Sequence, residues 1–168
     1  MAHVTVCFFA VSLCLQESAG YSHETMRLRP SPEWEPVFAS LQTFKSRWPA
    51  RGWSWDNRLF CITSSLVGEL LPRAEETTSV LFPERYTVKN LSEASPEMRE
   101  LVERSGGLRP NQIAFCSGPP KGGLVVYGLW WPWNDQETVS VRVGLLNIEP
   151  PEEPSLRFLD VFGVSIYS

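Results

Sequence analysis

Nucleophilic catalysis needs a Ser, Cys or Thr beside a base that takes its proton. The chain has only two histidines, His3 and His23. A histidine-based pair would therefore have to draw on the first residues of the chain. No G-x-S-x-G turn occurs. Cys116 is a nucleophile candidate, but it ends an apolar run, QIAFC, where a buried thiol is expected to act as a small hydrophobe. Paired carboxylates can serve as acid and base. Asp135, Glu137 and Asp160 stand near expected strands, yet nothing in their spacing sets the distance between them. Turn formation and solvation are their ordinary roles. The stretch SGPPKGG at 117–123 holds the Gly and Lys of a phosphate loop. Its two prolines remove N–H donors, and a strand rather than a helix is expected after it. Cysteine spacing is unlike that of a zinc site. No catalytic residue, metal or cofactor is expected.

A different chemistry is available to the aromatic residues. Three of the seven tryptophans, Trp130, Trp131 and Trp133, fall within 122–147, and Trp53 and Trp55 share a loop. Trp and Arg are the residues most enriched where binding energy concentrates. In a strand, neighbours point to opposite faces, so Trp130 and Trp131 are separated by the sheet. At least one of them faces away from Val139, Val141 and Val143. If helices cover one face only, a tryptophan and Arg142 share the open one. The alternative is a second layer that covers them. The candidate binding set is Trp130, Trp131, Trp133, Arg142, Trp53 and Trp55.

The elements that must position these residues follow from pattern. Ser31-Pro32-Glu33 starts a helix over 32–48, with Ser31 as cap and Trp34, Phe38 and Leu41 at helical spacing. Asp56 or Ser54 is expected to cap a second helix. Its stripe is Leu59, Phe60, Ile62, Leu66, Leu70 and Leu71, and Pro72 stops or kinks it. A weaker helical piece spans 73–82, and 84–94 reads as irregular. Ser95-Pro96-Glu97 opens a helix over 96–105 that Gly106-Gly107 ends. From Leu108 the period changes to two. Strands are expected at 112–116, 124–131 and 137–146, the second central and the third polar on one face (Thr138, Ser140, Arg142, Gly144). An acidic, proline-rich linker at 149–154 leads to a last strand at 156–167, with Gly163 as a bulge. Helices first and strands afterwards predict α+β, with N-terminal helices packed on one face of a C-terminal antiparallel sheet of about three to five strands.

Residues 1–25 stand apart from an expected single domain over 26–168. The apolar run at 4–15 is too short to span a bilayer as a helix. It fits a signal peptide without a charged start, a buried strand, or an over-extended reading frame before Met26. In an exported chain Cys61 and Cys116 could pair; in a cytoplasmic one, the favoured location, they are buried thiols. With net charge −4, 43% hydrophobic and 20% charged residues, the composition is that of a globular protein. An acidic chain argues against nucleic-acid binding. The expected function is non-enzymatic binding to a protein partner through a Trp/Arg surface, as in a small bacterial immunity- or antitoxin-type inhibitor. The alternative is a small-ligand or enzymatic domain with an aromatic pocket, Arg142 and a carboxylate.

Overall fold

The computed structural model describes residues 31–135 and 137–166. Residues 1–25, and the expectations attached to them, lie outside that range. The fold is α+β: among the described residues there are four α-helices and one six-stranded sheet in which every neighbouring pair is antiparallel. The strands are β1 (Ser54–Asp56), β2 (Cys61–Val67), β3 (Glu84–Tyr86), β4 (Ile113–Cys116), β5 (Val126–Pro132) and β6 (Thr138–Leu145). They lie in the order β1-β2-β6-β5-β4-β3. The helices are α1 (Glu35–Arg47), α2 (Leu71–Leu81), α3 (Pro96–Arg104) and α4 (Glu153–Phe162). The sheet has six strands where about three to five were expected. The additional strands are β1 and β2, where a second helix was expected, and β3, in a stretch expected to be irregular that pairs with β4. Two segments depart most from the expected pattern.

Residues 61–67 are the first. Ile62 and Leu66 suit a helical stripe, but they also suit a strand, with Ile62, Ser64 and Leu66 on one face. Thr63, Val67 and two serines lower helix propensity, and full pairing with β6 favours the extended form. The chain therefore makes a β1–β2 hairpin in place of the expected second helix, and Asp56 is a strand residue rather than a cap. Pro72 does not stop a helix; it sits in the first turn of α2, where its missing N–H costs no hydrogen bond. Thr77 and Thr78 fit that helix because their hydroxyls donate to the carbonyls of Arg73 and Ala74, at 2.8 and 2.7 Å.

The C-terminal segment is the second correction. Residues 153–162 form a helix, not a strand. Pro154 stands in its first turn, and Phe158, Leu159 and Phe162 form its buried face. Gly163, at φ 67°, is the left-handed stop rather than a bulge, and Val164 N–H donates to Leu159 O at 3.0 Å. The helices over 32–48 and 96–105 form as expected, the former opening with a 3-10 turn, Pro32–Trp34. Ser95 caps α3 through its side chain, accepting from Met98 N at 3.2 Å, whereas Ser31 makes no such bond.

Strand parity divides the core in two. Ile62, Leu66, Phe115, Val126, Trp130, Val139, Val141, Val143 and Leu145 meet α1, α2 and α4 on one face. Cys61, Ala114, Tyr127 and Leu129 meet Met98, Leu101 and Val102 of α3 on the other. The helices therefore pack on both faces, correcting the one-face expectation. Cys61 and Cys116 are free and buried. The strands β6 and β5 lie between theirs, a separation of roughly 14 Å, beyond the reach of a disulfide.

One close approach anchors the α3 side. Tyr127 stands opposite Gly144 in the β5–β6 register, and its hydroxyl donates to Leu59 O at 2.8 Å. A Cβ at position 144 would meet the Tyr127 ring at 2.6 Å. Gly144→Ala is expected to destabilise the fold by about 1–3 kcal/mol, read as a shifted midpoint in urea unfolding followed by circular dichroism. An unchanged midpoint would show that Tyr127 does not lie over that glycine.

Candidate functional site

Adjacent positions on β5 send two tryptophans to opposite faces. Trp130 pairs with Val141 and Ile113, and it is buried under the three-helix layer. Trp131 pairs with Ser140 and emerges on the α3 face. Arg142, two residues along β6 from Ser140, points to that same face. Its guanidinium carbon sits 4.3 Å from the centroid of the Trp131 ring. Such a cation–π contact is worth ~0.5–2 kcal/mol, rising as the pair is desolvated. The indole Nε1 of Trp131 is buried with no hydrogen-bond partner among the described residues. Its orientation therefore rests on ring packing and on Arg142.

Arg142 is itself held from two sides. Nε donates to Asp56 Oδ2 and Nη1 to Ser140 Oγ, each at 3.2 Å. Ser140 Oγ lies 3.2 Å from Thr63 Oγ1, so the network reaches β2. Asp56 also accepts from Arg58, through Nε, Nη2 and the backbone N–H. The side chains of Arg142 and Asp56 are 13% and 9% exposed, so this is a mostly buried ion pair. Burial alone would push the Asp56 carboxyl up; the hydrogen bonds from Arg58, and then from Arg142, overcome it and hold the group below its ordinary value.

Trp131, Ser140 and Arg142 line a cleft of about 610 Å³. Its other sides come from two turns. Past the end of α3, Gly106 and Gly107 lead to Arg109 and Gln112, and Gln112 Oε1 accepts from Arg109 N at 2.8 Å. Between β5 and β6, Pro132, Trp133, Asn134 and Asp135 complete the lining. Asp135 accepts from Glu137 N, Thr138 N and the Thr138 hydroxyl, and these bonds, the hydroxyl's first, hold its carboxyl below the usual range. The carboxylate shapes the turn. Trp133 is tied by its N–H to Thr138 O at 2.8 Å, while the residue is 53% exposed.

The other candidates fall elsewhere. Trp53 packs among Phe44, Trp48 and Phe162, and Trp55 against Phe60, both on the three-helix face. Trp130, Trp53 and Trp55 therefore do not join Trp131, Trp133 and Arg142. Glu137 and Asp160 are exposed, and neither pairs with Arg142. Cys116 is buried and its thiol is pushed up by that burial; Cys61, buried more deeply, is raised to about 12. Such thiols are poor nucleophiles at neutral pH. Asp56 is the residue that sequence reasoning missed. Its signal was the period-two pattern of 61–67, which would have placed it on a hairpin. Among the described residues no three His, Cys, Asp or Glu side chains group as metal ligands would, and no helix is long and apolar enough to cross a membrane. Compared with models of protein families, with curated proteins and with solved structures, the chain matches none.

Asp56→Ala is expected to cost about 3 kcal/mol, because it strands a mostly buried guanidinium. Thermal or urea unfolding would report it. The Asp56 contribution is complete above the ordinary carboxylate value of 3.8 and is lost as pH falls through the lower folded-state value. The stability difference between wild type and Asp56→Asn should therefore shrink across that acid range. A difference independent of pH there would contradict the pairing.

Proposed function

We propose that the protein is a non-enzymatic protein-binding domain whose contact surface is the cleft around Trp131, Trp133 and Arg142. The observation that carries this reading is an indole–guanidinium stack on the part of the sheet that α3 leaves uncovered, with a half-exposed tryptophan beside it. Large aromatic side chains held in fixed orientation, with arginine, are what concentrated binding surfaces are made of. The Trp131–Arg142–Asp56 arrangement is held before any partner arrives, which reduces the ordering cost of association. An inhibitor of the immunity or antitoxin type, which acts by occupying its target, fits such a surface.

One observation favours a second reading, a small-molecule site. Arg142 has a carboxylate beside it, as an aromatic pocket for a polar ligand would use. That carboxylate is Asp56, however, and it is already shared between two guanidiniums. The protein-binding reading is preferred on that ground.

Trp133→Ala tests the choice. Its indole is solvent-facing, so unfolding by circular dichroism should change by no more than ~0.5 kcal/mol. Capture of a partner from lysate of the source cells, quantified by mass spectrometry, should fall at least about tenfold, as for a central binding residue. An unfolded variant, or undiminished capture of the same protein, would remove Trp133 from the contact surface.

A further inference from the structure

Resting on the cleft as a protein-binding surface, we infer that the partner segment it takes is acidic: a carboxylate side chain set between Arg142 and Arg109, with an apolar neighbour against Trp133. Two guanidiniums belong to the cleft, Arg142 within it and Arg109 on its wall, and a third, Arg58, stands outside it in the β1–β2 turn. Two carboxylates accompany them, and both are occupied. Asp56 is shared by Arg58 and Arg142, and Asp135 is spent on its turn. Among the residues that line the cleft the surplus is positive, Arg109 and Arg142 against Asp135, in a chain whose net charge is −4.

Donor geometry agrees with the charge. Arg142 uses Nε and Nη1 within the protein, leaving Nη2 with no partner among the described residues. The Arg109 side chain is exposed, and its backbone is pinned through Gln112. A carboxylate fits such donors, and hydrogen bonds between ionised groups are the strong ones. The Trp131 face is covered by Arg142, so the free indole for an apolar neighbour is that of Trp133. Stacked bases and phosphates could also use indoles and guanidiniums. A polyanion, however, feels the negative field of the whole chain, whereas a short segment with one or two carboxylates engages the local surplus.

The test uses the full chain and three probes: a ten-residue peptide of Glu, Leu and Gly, the same peptide with Gln for Glu, and a ten-nucleotide oligothymidylate. Indole N–H signals of Trp131 and Trp133 are followed by NMR, with affinity from the titration. The acidic peptide should move the Trp133 signal, and Arg109→Ala should weaken it about tenfold. Rising salt should weaken it further. Circular dichroism checks that Arg109→Ala is folded, as its exposed position predicts. Equal binding of the Gln peptide at these indoles would overturn the acidic preference while leaving the cleft as a binding surface. Tighter binding of the oligonucleotide would overturn both. If no probe moves either indole, the acidic-segment proposal fails, and capture by wild type against Trp133→Ala still decides the binding surface independently.

Discussion

The structure depends on a mismatch of sizes. Six strands place the outermost pair roughly 24 Å apart. On one face α1, α2 and α4, of 13, 11 and 10 residues, cover the sheet. On the other, among the described residues, stands α3 alone, nine residues long, or roughly 13 Å. One short helix cannot bury the whole of that face. What it does bury is apolar and tightly fitted: Met98, Leu101 and Val102 against Tyr127 and Leu129. Beyond its reach the same strands turn polar, with Thr63 and Ser65 on β2 and Thr138, Ser140 and Arg142 on β6. The alternation on β6, where Val139, Val141 and Val143 face three helices, records this asymmetry residue by residue.

An uncovered sheet face must satisfy its polar groups by itself. Here that is done by linking Asp56, Arg142, Ser140 and Thr63 across β1, β6 and β2. The pair is buried enough that breaking it is costly, yet replacing both partners by apolar residues would cost far less. Stability alone is therefore a weak reason for the arrangement. Its evident consequence is placement: the guanidinium is held against the face of the Trp131 ring, and the indole Nε1 has no hydrogen-bond partner among the described residues. The exposed Trp133 and Arg109 reach the same cleft from two turns whose backbones are fixed by Asp135 and Gln112. Four side chains from three segments thus converge on one surface through interactions that are each local.

Much of this was legible in the sequence where local preference and tertiary context agree. Proline in the first turn with a serine before it, and paired glycines after it, bracket α3. Clean alternation over 138–145 predicts β6 and the face of Arg142. Strand parity alone separates Trp130 from Trp131. Legibility ends where one pattern serves two states. Ile62 and Leu66 satisfy helix and strand spacing, and only the partners of β2 decide between them. The run after Pro154 looks like an apolar strand until Phe158, Leu159 and Phe162 meet α1, with Lys45 donating to Val161 O at 2.6 Å. Asp56 was hidden for the same reason: its role depends on a hairpin that pairs with β6, where Arg142 lies 86 residues later. Which tryptophan is covered is likewise a question of how long α3 is, and strand parity is silent on it.

The most direct measurement of the central claim, that one tryptophan face is open and the other closed, is oxidative footprinting of the native chain with peptide-level mass spectrometry. Trp133 should oxidise fastest, Trp131 more slowly, and Trp130, 5% exposed, slowest of the three. Trp130 oxidising as readily as Trp131 would show that the three-helix layer does not cover its face. Protection of both Trp131 and Trp133 would show that the α3 side is not open. Either result would contradict the account.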